Sequence, residues 1–152
     1  MIVSYKSPEG GAEQVETDDL SAKESADIEV VTELEWTDVE DALRRQKPTA
    51  MRAVLWIFRR RATPGLLFSQ CDVPGWKRRL TAKMNTDETR DWIDALRTSH
   101  GEDSEEFADL MSAVRIAAHE SVDVDKALAK PGKAPAPVGP EESGGSSSST
   151  AG

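Results

Sequence analysis

Pro48-Thr49-Ala50-Met51-Arg52-Ala53-Val54-Leu55-Trp56-Ile57-Phe58-Arg59-Arg60-Arg61 is the stretch on which the fold turns. Met51, Val54, Leu55 and Phe58 recur at helical spacing, and Trp56 and Ile57 widen the apolar face. Arg52 falls on the polar side. The three arginines at the end stand where the negative end of a helix dipole favours positive charge. Pro48 ends whatever precedes it and suits the first turn of a new helix. Pro64-Gly65 closes the segment. A helix over 49–61 is therefore expected to anchor the core, each fully buried large side chain contributing about 1.5–3 kcal/mol.

Outward from this helix the periods weaken in both directions. On the N-terminal side, Thr37-Asp38-Val39-Glu40 has capping-box spacing and predicts a short helix over 38–45. Ile28 to Trp36 alternates in part and carries β-branched residues, which predicts a strand. Residues 1–27 combine Gly10-Gly11, many acids and scattered small apolar groups. Apart from a short strand at Ile2–Tyr5, they are expected to be largely disordered, with too little apolar surface to offset ordering entropy.

On the C-terminal side, Leu66 to Val73 is a short apolar stretch and Pro74-Gly75 a turn. Trp76 to Lys83 is open between helix and strand. Thr86-Asp87-Glu88 is expected to cap a helix running to Arg97 that buries Trp92, Ile93 and Leu96. After the polar break Ser99-His100-Gly101, a last helix over 104–121 carries the stripe Phe107, Leu110, Met111, Val114 and Ala118. Residues 122–152 hold Pro131, Pro135, Pro137 and Pro140, then Gly144-Gly145 and Ser146 to Ser149, which is linker chemistry. The expected fold class is mainly α: a small helical domain over 28–121, with short N-terminal strands possible, flanked by disordered termini. No internal repeat of fixed period occurs.

The chain has 152 residues and a formal net charge of −9. That charge is unevenly laid out: −8 over residues 1–35, +5 over 36–92 and −6 over 93–152. The basic middle holds Arg44-Arg45, Arg59-Arg60-Arg61 and Lys77-Arg78-Arg79, interleaved with Trp56, Trp76 and Trp92. Such a stripe is one way to build a nucleic-acid surface. However, two of the clusters sit at expected helix ends, no nucleic-acid-binding motif accompanies them, and the acidic first segment is able to cover them from within the chain. Protein-facing or solvated charge is the preferred reading, and nucleic acid is not an expected partner.

Catalytic chemistry finds no footing. One Cys excludes an internal disulfide and, with two His, leaves no structural zinc set. Cys71 lies in an apolar context and reads as a buried thiol, not a partner of His100 or His119. Glu102, Asp103, Glu105 and Glu106 suit the start of a helix. Asp123 and Asp125 lack the other positions of a calcium loop, and Gly10-Gly11 lacks the Lys-Ser/Thr of a phosphate loop. No catalytic, cofactor or metal residues are assigned, and an enzyme is not expected. The longest apolar run, Ala53 to Phe58, is far short of the roughly 20 residues of a membrane span. With no secretory signal and a single Cys, a soluble cytoplasmic protein is the expectation.

Trp36-Thr37-Asp38-Val39-Glu40-Asp41-Ala42-Leu43, then Ala53 to Arg61, then Pro64 and Leu67-Phe68, resembles the tail assembly chaperones of actinobacterial siphophages. The resemblance covers residues 28–73 and extends to the low-complexity Pro/Gly/Ser tail. It implies a protein of the bacterial host cytoplasm that holds the long tape-measure protein soluble while the tail tube assembles. It also implies that a longer product can arise by ribosomal frameshifting near the chain's end. The physics of such a holdase is apolar anchors amid solubilising charge. The expected contact surface is drawn from Met51, Val54, Trp56, Phe58, Arg59, Arg60 and Trp76, with tape-measure protein, another tail protein or a second copy as partner. A structural head–tail or tail component is the alternative, and a small nucleic-acid-binding regulator is the second alternative.

Overall fold

The computed structural model describes residues 1–129. They fold as a mainly α chain with seven helices and one three-stranded sheet. The residues beyond, which include most of the expected linker, lie outside the described part.

Strands β1 (Ile2–Lys6) and β2 (Ala12–Glu16) form an antiparallel hairpin. A 3-10 turn, Thr17–Asp19, leads into α1 (Ala22–Thr32). α2 (Trp36–Arg44) and α3 (Pro48–Ala62) follow. A loop with a 3-10 turn at Phe68–Gln70 reaches the single turn α4 (Trp76–Arg79) and strand β3 (Leu80–Lys83). Three helices complete the described chain: α5 (Thr86–His100), α6 (Glu105–Ala117) and α7 (Ser121–Leu128). The sheet order is β2-β1-β3, so β1 is central although it comes first.

α3 is the structural centre. Ala50, Met51, Ala53, Val54, Leu55, Trp56 and Ile57 are all buried, and Pro48 occupies the first helical position. α1 and α2 pack beside it, the sheet covers another side, and α5, α6 and α7 pack chiefly on one another. Val3 and Tyr5 of β1, Ile28 of α1, Leu43 of α2 and Ile93 of α5 join one continuous apolar core.

Several expectations give way. Residues 1–27 are ordered as a hairpin, a turn and the first half of α1, because Met1, Val3 and Tyr5 enter the core and the acids of the segment meet basic partners far along the chain. Arg59 reaches Glu13 with two guanidinium nitrogens, at 2.9 and 2.7 Å. Arg60 pairs with Asp27, and Arg61 grips Glu24 at 2.6 and 2.8 Å. The expected strand over 28–36 is instead the second half of α1 and the entry to α2. Ser21 accepts from the Glu24 amide and Glu24 accepts from the Ser21 amide, a complete capping box that starts the helix earlier. Ile28 then points inward while Val30 stays exposed, a helical disposition that overrides β-branched preference.

The box expected at Thr37 does not form. α2 begins at Trp36, whose N–H donates to the Glu29 carboxylate at 2.7 Å. The cap before α5 is Asn85, which pairs reciprocally with Glu88. Lastly, the helix expected over 104–121 ends at Ala117, and residues 121–128 form α7 where linker was expected. Ala118 turns extended to bridge Met84, and Val124 of α7 is fully buried against its neighbours. The domain is thus not confined to 28–121.

The Glu24–Arg61 contact carries a pH signature. The Arg61 hydrogen bond, opposed by burial and helped by the Ser21 bonds, lowers the Glu24 carboxyl from 4.5 to about 2. A carboxylate lowered on folding stabilises the fold above its unfolded value and loses that contribution as pH falls towards 2. Glu24→Gln is therefore expected to be less stable than the parent at pH 6, with the gap narrowing from pH 4.5 down to pH 2. Urea midpoints of both proteins across that range check it, and a gap independent of pH would remove the assignment.

Candidate functional site

The structure separates the seven residues singled out for contact. Met51, Val54 and Trp56 are core. Trp56 donates its indole N–H to the Leu66 carbonyl at 2.8 Å and meets Phe68 edge-on at 5.6 Å. They offer no surface, because the wide apolar face of α3 is enclosed on several sides by α1, α2 and the sheet. Phe58 is half-buried under the Arg61 guanidinium, 4.1 Å from its ring centre. Arg59 and Arg60 are committed to Glu13 and Asp27, and Arg60 also lies over the Trp56 ring at 4.5 Å. The acidic arm thus neutralises the most conspicuous basic cluster.

Trp76 alone keeps substantial exposure, at 37 %. It opens α4 directly after Gly75, whose φ of 69° suits glycine, and any Cβ there would lie 3.1 Å from the Arg79 side chain. Arg79 in turn donates to the carbonyls of Lys6 and Ser7, pinning α4 to the end of β1. Beside Trp76 is a recess of about 220 Å³ lined by Pro48, Thr49, Arg52, Val73 and Leu80. Arg52 makes no ion pair among the described residues. Its guanidinium rests 4.1 Å from the Phe68 ring centre, and its Nε is buried without a hydrogen-bond partner.

A larger opening lies along the outer side of β3. This groove, of about 810 Å³, has Met1, Ala82, Met84, Trp92, Ile116 and Ala117 as its apolar lining. Arg44 and Lys83 stand on the α2–β3 wall, and Glu88 and Asp91 on the α5 wall. Ile116 is 73 % exposed at its lip. Arg44 meets Asp41 at 3.0 Å on the surface, and Lys83 donates to the Ile116 carbonyl. Glu88 is engaged in capping α5 and meets the Met1 amine at 2.7 Å. Asp91 has no ion pair among the described residues.

Sequence reasoning placed Trp92 in the core, whereas it is half-buried and faces the groove. Ile116 was missed, although it left a signal: it is the large aliphatic residue of α6 that falls outside the stripe of Phe107, Leu110, Met111, Val114 and Ala118. Met84 joins the site because its backbone bridges Ala118 and brings the end of α6 to β3.

The groove can hold an apolar surface by shape, with charge at its borders to orient it. Cys71 is buried, with the Arg59 guanidinium 3.5 Å from its sulfur. His100 lies beside Glu106 at 3.2 Å, and His119 is 3.7 Å from Glu120. Among the described residues no three His, Cys, Asp or Glu converge as a metal site, and no helix is long and apolar enough to cross a membrane. Comparison with family models, curated proteins and solved structures gives no match to this chain.

Proposed function

We propose that this protein is a partner-holding chaperone of the phage tail-assembly kind, acting in the bacterial host cytoplasm to keep a tape-measure protein soluble. The observation that carries the reading is the open apolar groove of Met84, Trp92 and Ile116 on an otherwise strongly charged chain. A soluble protein that leaves such a surface unfilled gains from covering it with a partner. The recess at Trp76 provides a second anchor at the other end of β3. The resemblance of residues 28–73 to tail assembly chaperones supplies the identity of the partner.

Co-expression with the tape-measure protein tests this reading. Trp92→Ala and Trp76→Ala, both folded by circular dichroism, are each expected to reduce the co-purified tape-measure protein about tenfold or more, as for aromatic anchors at an interface. Undiminished recovery with both variants would remove the two surfaces and the reading with them. A chaperone is also absent from finished particles. Stoichiometric presence in purified virions would favour a structural tail component instead.

A further inference from the structure

The outer side of β3 is a sheet edge, and a sheet edge next to an apolar groove ordinarily invites an added strand. Here the invitation is withdrawn group by group. The Ala82 N–H donates to Gln46 Oε1 at 3.0 Å, and the Ala82 carbonyl accepts from Gln46 Nε2 at 2.6 Å. The Met84 N–H donates to the Ala117 carbonyl at 2.8 Å, and the Met84 carbonyl accepts from the His119 N–H at 2.9 Å. The backbone groups of β3 and its extension that face away from β1 beside the groove are therefore already paired.

The Gln46 side chain is not a casual visitor to that edge. Its backbone sits in the left-handed region at φ 57°. The Gln46 N–H bonds the Leu43 carbonyl at 2.9 Å and the Lys47 N–H bonds the Ala42 carbonyl at 2.8 Å, the paired closure of a Schellman motif at the end of α2. The end of α2 thus holds the Gln46 amide against β3, where it stands in for the peptide unit of a neighbouring strand.

An extended occupant would have to leave its own N–H and C=O groups unpaired in an apolar groove, at a steep cost in free energy. A helix brings its backbone bonds with it. We infer that the groove takes an amphipathic α-helix from the partner and excludes extended segments. The apolar stripe of that helix seats on Met84, Trp92 and Ile116. One acidic flank faces Arg44 and Lys83, and one basic flank faces Asp91. The two oppositely charged walls set the direction in which the helix lies, because reversing it would place like charges together. This inference rests on the partner-holding reading and specifies the form in which the partner is held.

The probe is a fluorescent, stapled synthetic helix of about four turns, with Leu at i, i+3, i+4 and i+7, Glu along one flank and Lys along the other. It is titrated against the full chain near physiological salt. Comparison peptides carry Glu on both flanks, Lys on both flanks, or two central prolines and no staple. The mixed helix is expected to bind about tenfold more tightly than either uniform-flank helix, since each uniform helix exchanges an attractive wall for a repulsive one. Ile116→Asp should abolish its binding, and the proline peptide should not bind. Equal binding of the proline peptide, or of the uniform helices, would overturn the inference.

A photo-reactive residue at position 116 identifies the natural occupant during co-expression. Cross-links to a helical segment of the tape-measure protein support the inference. Cross-links to a second copy of this chain, or to its own residues 130–152, overturn it. The two levels of the argument fail separately. If Ile116→Asp abolishes tape-measure capture while no peptide binds, the helical mode falls and the chaperone reading stands. If the mixed helix binds through the groove while capture ignores Ile116, Trp92 and Trp76, the chaperone reading falls instead.

Discussion

Val3→Asp is expected to cost about 4 kcal/mol or more of folding stability and to leave little folded protein at moderate urea. Val3 is fully buried on the central strand β1, between Val15 of β2 and Ala82 of β3. A carboxyl group there is taken out of water between two strands, and burying it costs several kcal/mol whether it stays charged or takes up a proton. A domain of this size has a total stability of about 5–15 kcal/mol. The same substitution in a disordered arm would be silent. Urea unfolding followed by tryptophan fluorescence measures the effect, with Glu9→Ala in the hairpin turn as an exposed control. An unchanged midpoint for Val3→Asp would return the first 27 residues to the status of a tail.

Trp56→Ala is the second large effect, expected at about 3–5 kcal/mol. The substitution empties a buried site, removes the indole bond to the Leu66 carbonyl and takes away the ring that meets Phe68 and underlies Arg60. Those contacts tie α3 to the loop that leads towards α4. Trp56→Phe separates the parts: it keeps most of the packing and forfeits the indole bond, for about 1 kcal/mol. If Trp56 instead served a partner, Trp56→Ala would spare stability and reduce tape-measure capture. Chemical denaturation of the free protein decides between the two, because a partner-facing tryptophan leaves the unfolding midpoint where it was.

Much of the helical framework was legible in the residues. The helix expected over 49–61 runs over 48–62, with proline at its first position and arginines in its last turn. α5 and α6 likewise follow the apolar spacing of Ile93 and Leu96 and of Phe107, Met111 and Val114. Each rests on side chains three or four residues apart, which meet on one face whatever the rest of the chain does. α1 could also have been read, from Ser21 and Glu24, had the β-branched run at Ile28 to Val31 not drawn attention to itself. The hairpin was harder. Glu13 lies 46 positions from Arg59 and Glu24 lies 37 from Arg61, so the acids read as a solvated tail until α3 brings the arginines to them.

The groove follows the same logic one level up. Trp92 and Ile116 each sit on a helix visible in the residues, yet neither pattern says that their faces share an opening. That depends on Met84 bridging Ala118, which sets the end of α6 beside β3, and on the Gln46 amide closing the edge between them. By itself the sequence determined that α2, α3, α5 and α6 become helices, where the chain is basic or acidic, and that α3 supplies the core, because these are properties of neighbours along the chain. Only the tertiary structure decided which charges are spent on one another and which apolar side chains stay uncovered. Burial and ion pairing depend on distances between segments, and those distances exist only once the chain has packed.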